Sequence, residues 1–189
     1  ARLSHFFWNT TPDPELLAKA WALPVAATYT PLRSQGFRAV CGPTSVANVL
    51  RSVGHDRGPN PLRGFGLRAM SLEQVAREGG EVMPPGWTAT VVRPSSVAAL
   101  RDELRTANDP RRRFIANFSR APLFGRGGGH HSPVGGYLEA EDLAFVLDVN
   151  ASFGPWLVPT ELLHQAMSAI DRGDGRARGL ARFETSGPA

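Results

Sequence analysis

Apolar positions in residues 13–23 (DPELLAKAWAL) fall at Leu16, Leu17, Ala20 and Leu23, which share one helical face, and Pro24 stops the run. A second run over 42–53 puts Val46, Val49, Leu50 and Val53 on one face, with Pro43 suited to its first turn and Gly54 to its end. Ser71-Leu72-Glu73-Gln74 is a capping-box pattern opening a helix that should end near Gly79. Ser95 or Ser96 caps another running to about Ala107, and residues 160–170 read as one more. Residues 29–40 and 55–70 read as loops. The texture then changes: 88–92, 114–118, 133–138, 144–149 and 180–183 are short apolar or alternating runs cut by Gly, Asp and Pro, as antiparallel strands require.

The expectation is an α+β fold in one domain, 1–189. A helical lobe at about 11–108 faces a sheet lobe at about 113–184, with a cleft between them. At 189 residues and 42% hydrophobic content the chain can bury a core. No apolar stretch approaches the roughly 18 residues that suggest a membrane span. The net charge of +4 comes from arginine, Lys19 being the single lysine. The densest basic run, Arg111 to Arg113, lacks interleaved aromatics and reads as a charged turn, so nucleic acid is not an expected partner. One cysteine excludes an internal disulfide and a four-thiolate metal site. The start at Ala1 suits a trimmed or mature form, and localisation stays open.

That cysteine, Cys41, stands just before a helix, with His130 and Asp148 far downstream, the order and parts of a thiolate nucleophile. A helix start and a nearby imidazolium both favour the thiolate; the bland alternative is a buried, inert thiol. Gln35, six residues earlier, could aim its amide at a substrate carbonyl beside the Cys41 N–H, forming an oxyanion hole, or could be an ordinary loop glutamine. His130 and His131 follow Gly127, Gly128 and Gly129; on a strand only one of the two should enter the cleft. No further Cys or His cluster supports a metal role for the pair. Asp148 ends an apolar strand, where it either orients the imidazole or caps a turn next to Asn150.

At these residues the chain resembles the phytochelatin synthase family, whose catalytic domain is similar to papain-like cysteine peptidases. The resemblance rests on Gln35 to Gly42 (Q-x5-C-G), Asn117 to Arg120 (N-x-x-R), Gly129 to Pro133 (G-H-x-S-P) and Leu147 to Val149 (L-D-V), and extends over about 23–183. It implies Cys41 as nucleophile, His130 as acid/base, Asp148 as orienting acid and Gln35 as oxyanion donor. It also implies glutathione or a γ-glutamylcysteinyl peptide as substrate, with Asp171 on its ammonium and Arg178 on its carboxylate. Arg120 and Gly129 join that substrate-binding set. No cofactor or resident metal is expected; heavy metal would act by activation or as a metal–thiolate substrate.

The family's plant-type W-K-G-P-W-R-W segment is missing, and Ala151 stands where many members have arginine. Both departures point to a short, bacterial-type enzyme that mainly hydrolyses. The alternatives are a peptidase that trims double-glycine leader peptides, an amide-forming transferase of natural-product assembly, and a non-catalytic binder of thiol peptides or metal ions. The oligomeric state is open, a homodimer included.

Overall fold

A computed structural model describes residues 13–37 and 40–188. Positions 38 and 39 of the expected 29–40 loop lie outside the described residues. Helix α1 (Pro14–Trp21) is capped by the Asp13 carboxylate, and Pro24 opens a separate short helix, α2 (Pro24–Ala27). Helix α3 (Cys41–Ser52) follows the loop, starting one residue earlier than its pattern suggested, so that Cys41 is its first residue. Helix α4 (Leu72–Val82) carries the expected capping box, with Ser71 and Gln74 each accepting from the other's backbone N–H. It runs past Gly79 because the glycines here serve contact, not termination. A Cβ on Gly79 would lie 3.0 Å from the Phe183 ring, and one on Gly80 2.9 Å from the Ala89 methyl.

Among the described residues, six strands form one antiparallel sheet in the order β1-β8-β2-β3-β4-β5. They are β1 (Trp87–Val92), β2 (Arg112–Ser119), β3 (Gly129–Leu138), β4 (Leu143–Val146), β5 (Trp156–Pro159) and β8 (Gly179–Thr185). Helices α5 (Val97–Thr106), α6 (Ala121–Phe124) and α7 (Thr160–Ser168) complete the described helices, and β6 (Ile170–Asp171) with β7 (Arg176–Ala177) makes a small hairpin. Strand β1, from the first half of the chain, pairs with β8, so the sheet draws on both halves. Residues 147–149 leave the ladder, although Leu147 N–H still reaches the Pro133 carbonyl at 2.8 Å. Helix α7 ends at Ser168, and Ile170 enters the hairpin.

The sheet is covered on both faces, and alternation along β2 shows how. Ile115 packs with Val46, Leu50 and Val75 of α3 and α4, whereas Phe114, Ala116 and Phe118 pack with Leu100, Leu123 and Leu163 of α5, α6 and α7. A strand buried on both sides reads as a continuous apolar run, which is the texture of FIANF.

The Ser71 cap closes the turn that leads into α4. Ser71→Ala should lower stability by about 1 kcal/mol, read as a lower urea midpoint with an unchanged slope. An unchanged midpoint would show that the cap contributes nothing.

Candidate active site

Cys41 is buried at the first position of α3, where unpaired N–H groups and the helix dipole favour an anion. Helix α3 is pinned to β3 through Ser45, whose hydroxyl donates to the His131 carbonyl at 3.2 Å. Burial alone would push the thiol up. The hydrogen bond and positive charge of His130, aided by backbone contacts at His131 and Gly42, outweigh it and hold the thiol below its ordinary value.

His130 is the second residue of β3, cross-strand from Phe118, whose ring it meets edge-on at 5.7 Å. Its Nε2 lies 3.0 Å from Oδ1 of Asp148, with the N–H axis off the line of an ideal hydrogen bond. The other ring nitrogen is thereby left for the thiol. Burial disfavours the charged ring, but Asp148 and Cys41 outweigh that and raise its proton affinity, with Arg120 opposing. The Asn117 amide holds the His130 carbonyl at 3.0 Å.

Asp148 is almost wholly enclosed, at 1% exposure. Arg120 grips it with two hydrogen bonds of 2.8 and 3.0 Å, the Trp156 indole N–H donates at 2.8 Å, and the Asn150 N–H donates at 2.9 Å. Burial pushes its carboxyl up, and the adjacent His130 ring, together with the charge and hydrogen bonds of Arg120, overcomes this, holding it far below the usual range. Neighbouring backbone is fixed as well, since Val149 N–H donates to the Ser132 hydroxyl at 3.2 Å.

The expected site residues do not all fall where the sequence suggested. Arg120, expected among the substrate-binding groups, is buried and committed to Asp148, with its guanidinium stacked 3.6 Å from the Phe153 ring centroid. A carboxylate sealed from water requires such a partner. Gln35 is tied to the Asp148 segment by its N–H on the Val149 carbonyl at 2.7 Å, while its side-chain amide donates to the Phe37 carbonyl at 3.0 Å. One amide hydrogen is thus used within the loop. His131 faces away from His130, as adjacent strand residues do, and its Nε2 meets the Met70 carbonyl at 2.8 Å. Among the described residues no group of three or more His, Cys, Asp or Glu side chains is gathered as metal ligands.

Asp171 and Arg178, distant from the triad in sequence, do come together, 3.7 Å apart. They sit against the strand that carries His130, because a Cβ on Gly129 would collide with the Arg178 guanidinium. A cavity of about 290 Å³ opens on the same arginine, lined also by Arg93, Ser95, His164 and Met167. Trp156 is the functional contact that sequence reasoning missed. The available signal was the need of a buried carboxylate for donors, with a tryptophan eight residues on.

The phytochelatin synthase family model matches residues 6–180. The chain belongs to the phytochelatin synthase family. It is 32% identical over 170 residues to glutathione gamma-glutamylcysteinyltransferase 2 of Arabidopsis thaliana, covering 78% of this chain and 37% of that protein. Glutathione gamma-glutamylcysteinyltransferase 1 of the same plant is 30% identical over 166 residues, covering 78% of this chain and 34% of that protein. The chain therefore spans little more than a third of the length of these curated relatives. In fold it is similar to the peptidase domain of Streptococcus ComA, a bi-functional ABC transporter involved in a quorum-sensing pathway. The TM-score is 0.56 at 16% identity, over 82% of this chain and 98% of that one. The phytochelatin synthase fold seen here is thus the papain-like α+β arrangement expected, with the cysteine on a helix packed against an antiparallel sheet. No helix among the described residues is long and apolar enough to cross a membrane.

His131 makes an acid-stability prediction. Full burial drops its pKa from 6.5 to about 4, against the smaller upward pull of the Met70 carbonyl. Between those values the unfolded chain binds the extra proton, so stability falls as pH drops from 6.5 towards 4, by up to about 3 kcal/mol. His131→Gln should flatten that slope in denaturant titrations at pH 7, 5.5 and 4.5. An equally steep slope in the variant would assign the acid sensitivity elsewhere.

Proposed function

We propose that this chain is a cysteine-dependent γ-glutamylcysteinyl hydrolase and transferase acting on glutathione. The observation that carries the reading is the Asp171–Arg178 pair lying against Gly129, one residue before His130. It offers a carboxylate for an ammonium and a forked cation for a carboxylate on the strand that carries His130. That combination suits the amino-acid head of a γ-glutamyl peptide.

In this reading the Cys41 thiolate attacks the carbonyl carbon of the Cys–Gly amide. The oxyanion is met by the Cys41 N–H and by the amide hydrogen of Gln35 not used in its loop. Imidazolium His130 gives its proton to the leaving glycine nitrogen as the C–N bond breaks, which leaves a γ-Glu-Cys thioester. Neutral His130 then takes a proton from the incoming nucleophile, which is water for hydrolysis or the amine of a second glutathione for transfer. Asp148 keeps the ring oriented through both steps. The chemistry calls for no resident cofactor, and heavy metal enters as a metal–thiolate form of the substrate. With Ala151 in place of the arginine common in the family, the acceptor site is poorly built and water is the main acceptor.

Incubation with glutathione, followed by mass spectrometry, should yield γ-glutamylcysteine and glycine as main products, with none from Cys41→Ala. Added cadmium should raise phytochelatin output only modestly. Arg178→Ala should raise KM at least about tenfold, the worth of a charge-assisted hydrogen bond, with a smaller change in kcat. Efficient synthesis of long phytochelatins, or wild-type kinetics in the Arg178 variant, would refute this reading.

A further inference from the structure

Among the described residues, the charges enclosed around His130 sum to zero only because of Arg120. In the reactive state Cys41 carries a negative charge, His130 a positive one and Asp148 a negative one. Without a fourth group, the enclosed site would hold a net negative charge. Arg120 supplies the missing positive charge through two hydrogen bonds to Asp148. The segment that carries it is built for this placement. The Arg120 N–H donates to the Gly128 carbonyl at 2.9 Å. Gly127 adopts φ +107°, and a Cβ there would lie 2.9 Å from that of Arg120. The guanidinium is shielded from water by Phe118, Phe124 and Phe153, with ring centroids at 5.8, 5.7 and 3.6 Å.

We infer that Arg120 is a positioning residue that sets the pH range of the Cys41–His130 pair by cancelling the charge of Asp148. The inference rests on the reading of Cys41 and His130 as the reacting pair. An uncompensated carboxylate 3.0 Å from His130 would hold the proton on the ring too firmly for the ring to serve as base in the second half of the reaction. With Arg120 in place, part of that pull is offset while Asp148 still orients the ring. Among the described residues, three further groupings of charged or titratable side chains bear on His130. The Cys41 thiol faces it from α3, and His131 on the opposite face of β3 is neutral at physiological pH. Across Gly129, Arg178 and Asp171 offset one another.

The test is the pH dependence of Cys41 alkylation by iodoacetamide, which needs no substrate, run beside the pH profile of kcat/KM for glutathione. Arg120→Met removes a positive charge, so the acid limb of both profiles and the basic limb of kcat/KM should move up by about one pH unit or more, the usual effect of a close charge. Asp148→Asn alone should move them down. The double variant Arg120→Met/Asp148→Asn restores neutrality and contains no enclosed unpaired charge; its limbs should return to the wild-type positions, even if its maximal rate is lower. Arg120→Lys should keep the wild-type limbs while losing rate, since it retains charge but not the fork. If Arg120→Met does not fold, the double and lysine variants carry the test. Limbs that stay fixed in the single variants, or that remain displaced in the double or lysine variant, would overturn the inference. Alkylation profiles that shift as described in a protein that leaves glutathione intact would sustain the role of Arg120 and reject the substrate reading alone.

Discussion

A carboxylate shut away from water must be surrounded by donors, and Asp148 is the group around which this site is assembled. Its partners come from four places: Arg120 after β2, His130 on β3, Asn150 in the turn beyond β4 and Trp156 on β5. Two of these, Arg120 and Asn150, lie in segments outside the strands, which the sheet alone would leave loose. Residues 147–149 have left the β4 ladder, yet they are held through Pro133 and Ser132. Removing one partner of a buried ion pair typically costs about 3–5 kcal/mol because the remaining charge stays uncompensated, so the enclosure constrains sequence in all four segments.

The strand period distributes the chemistry. Because β3 is covered on both faces, its two adjacent histidines meet different surroundings. His130 sits with Phe118, Asp148 and the Cys41 thiol, while His131 is driven neutral in the layer beneath Met70. One keeps an affinity for protons and the other loses it, although both belong to a single dipeptide. Gly129 completes the arrangement by letting the Arg178 guanidinium lie directly on the backbone.

What was legible in the sequence was local. The helix after Cys41, the capping box at Ser71 and the alternation of the histidine pair follow from spacing and residue type, and each appears within a residue or so of its expected place. What was not legible depended on tertiary contact. Gly79 looked like a helix end, but it marks where α4 presses on Phe183. The resemblance puts Arg120 among the substrate-binding groups, but the group it grips is the protein's own Asp148. Strand β5, only four residues long and bounded by Pro155 and Pro159, gave no period to read. Its tryptophan matters through a donor that is visible only once the carboxylate is seen to be buried.

The central claim is that Cys41 becomes the carrier of a γ-glutamylcysteinyl group, and the most direct measurement is the intact mass of the protein acid-quenched during turnover with glutathione. The account predicts a mass increase of one γ-glutamylcysteinyl unit, mapped by peptide digestion to the segment beginning at Cys41 and removed by hydroxylamine, as a thioester is. Glycine released without any such adduct when deacylation is slowed, or an adduct carried by another residue, would contradict it.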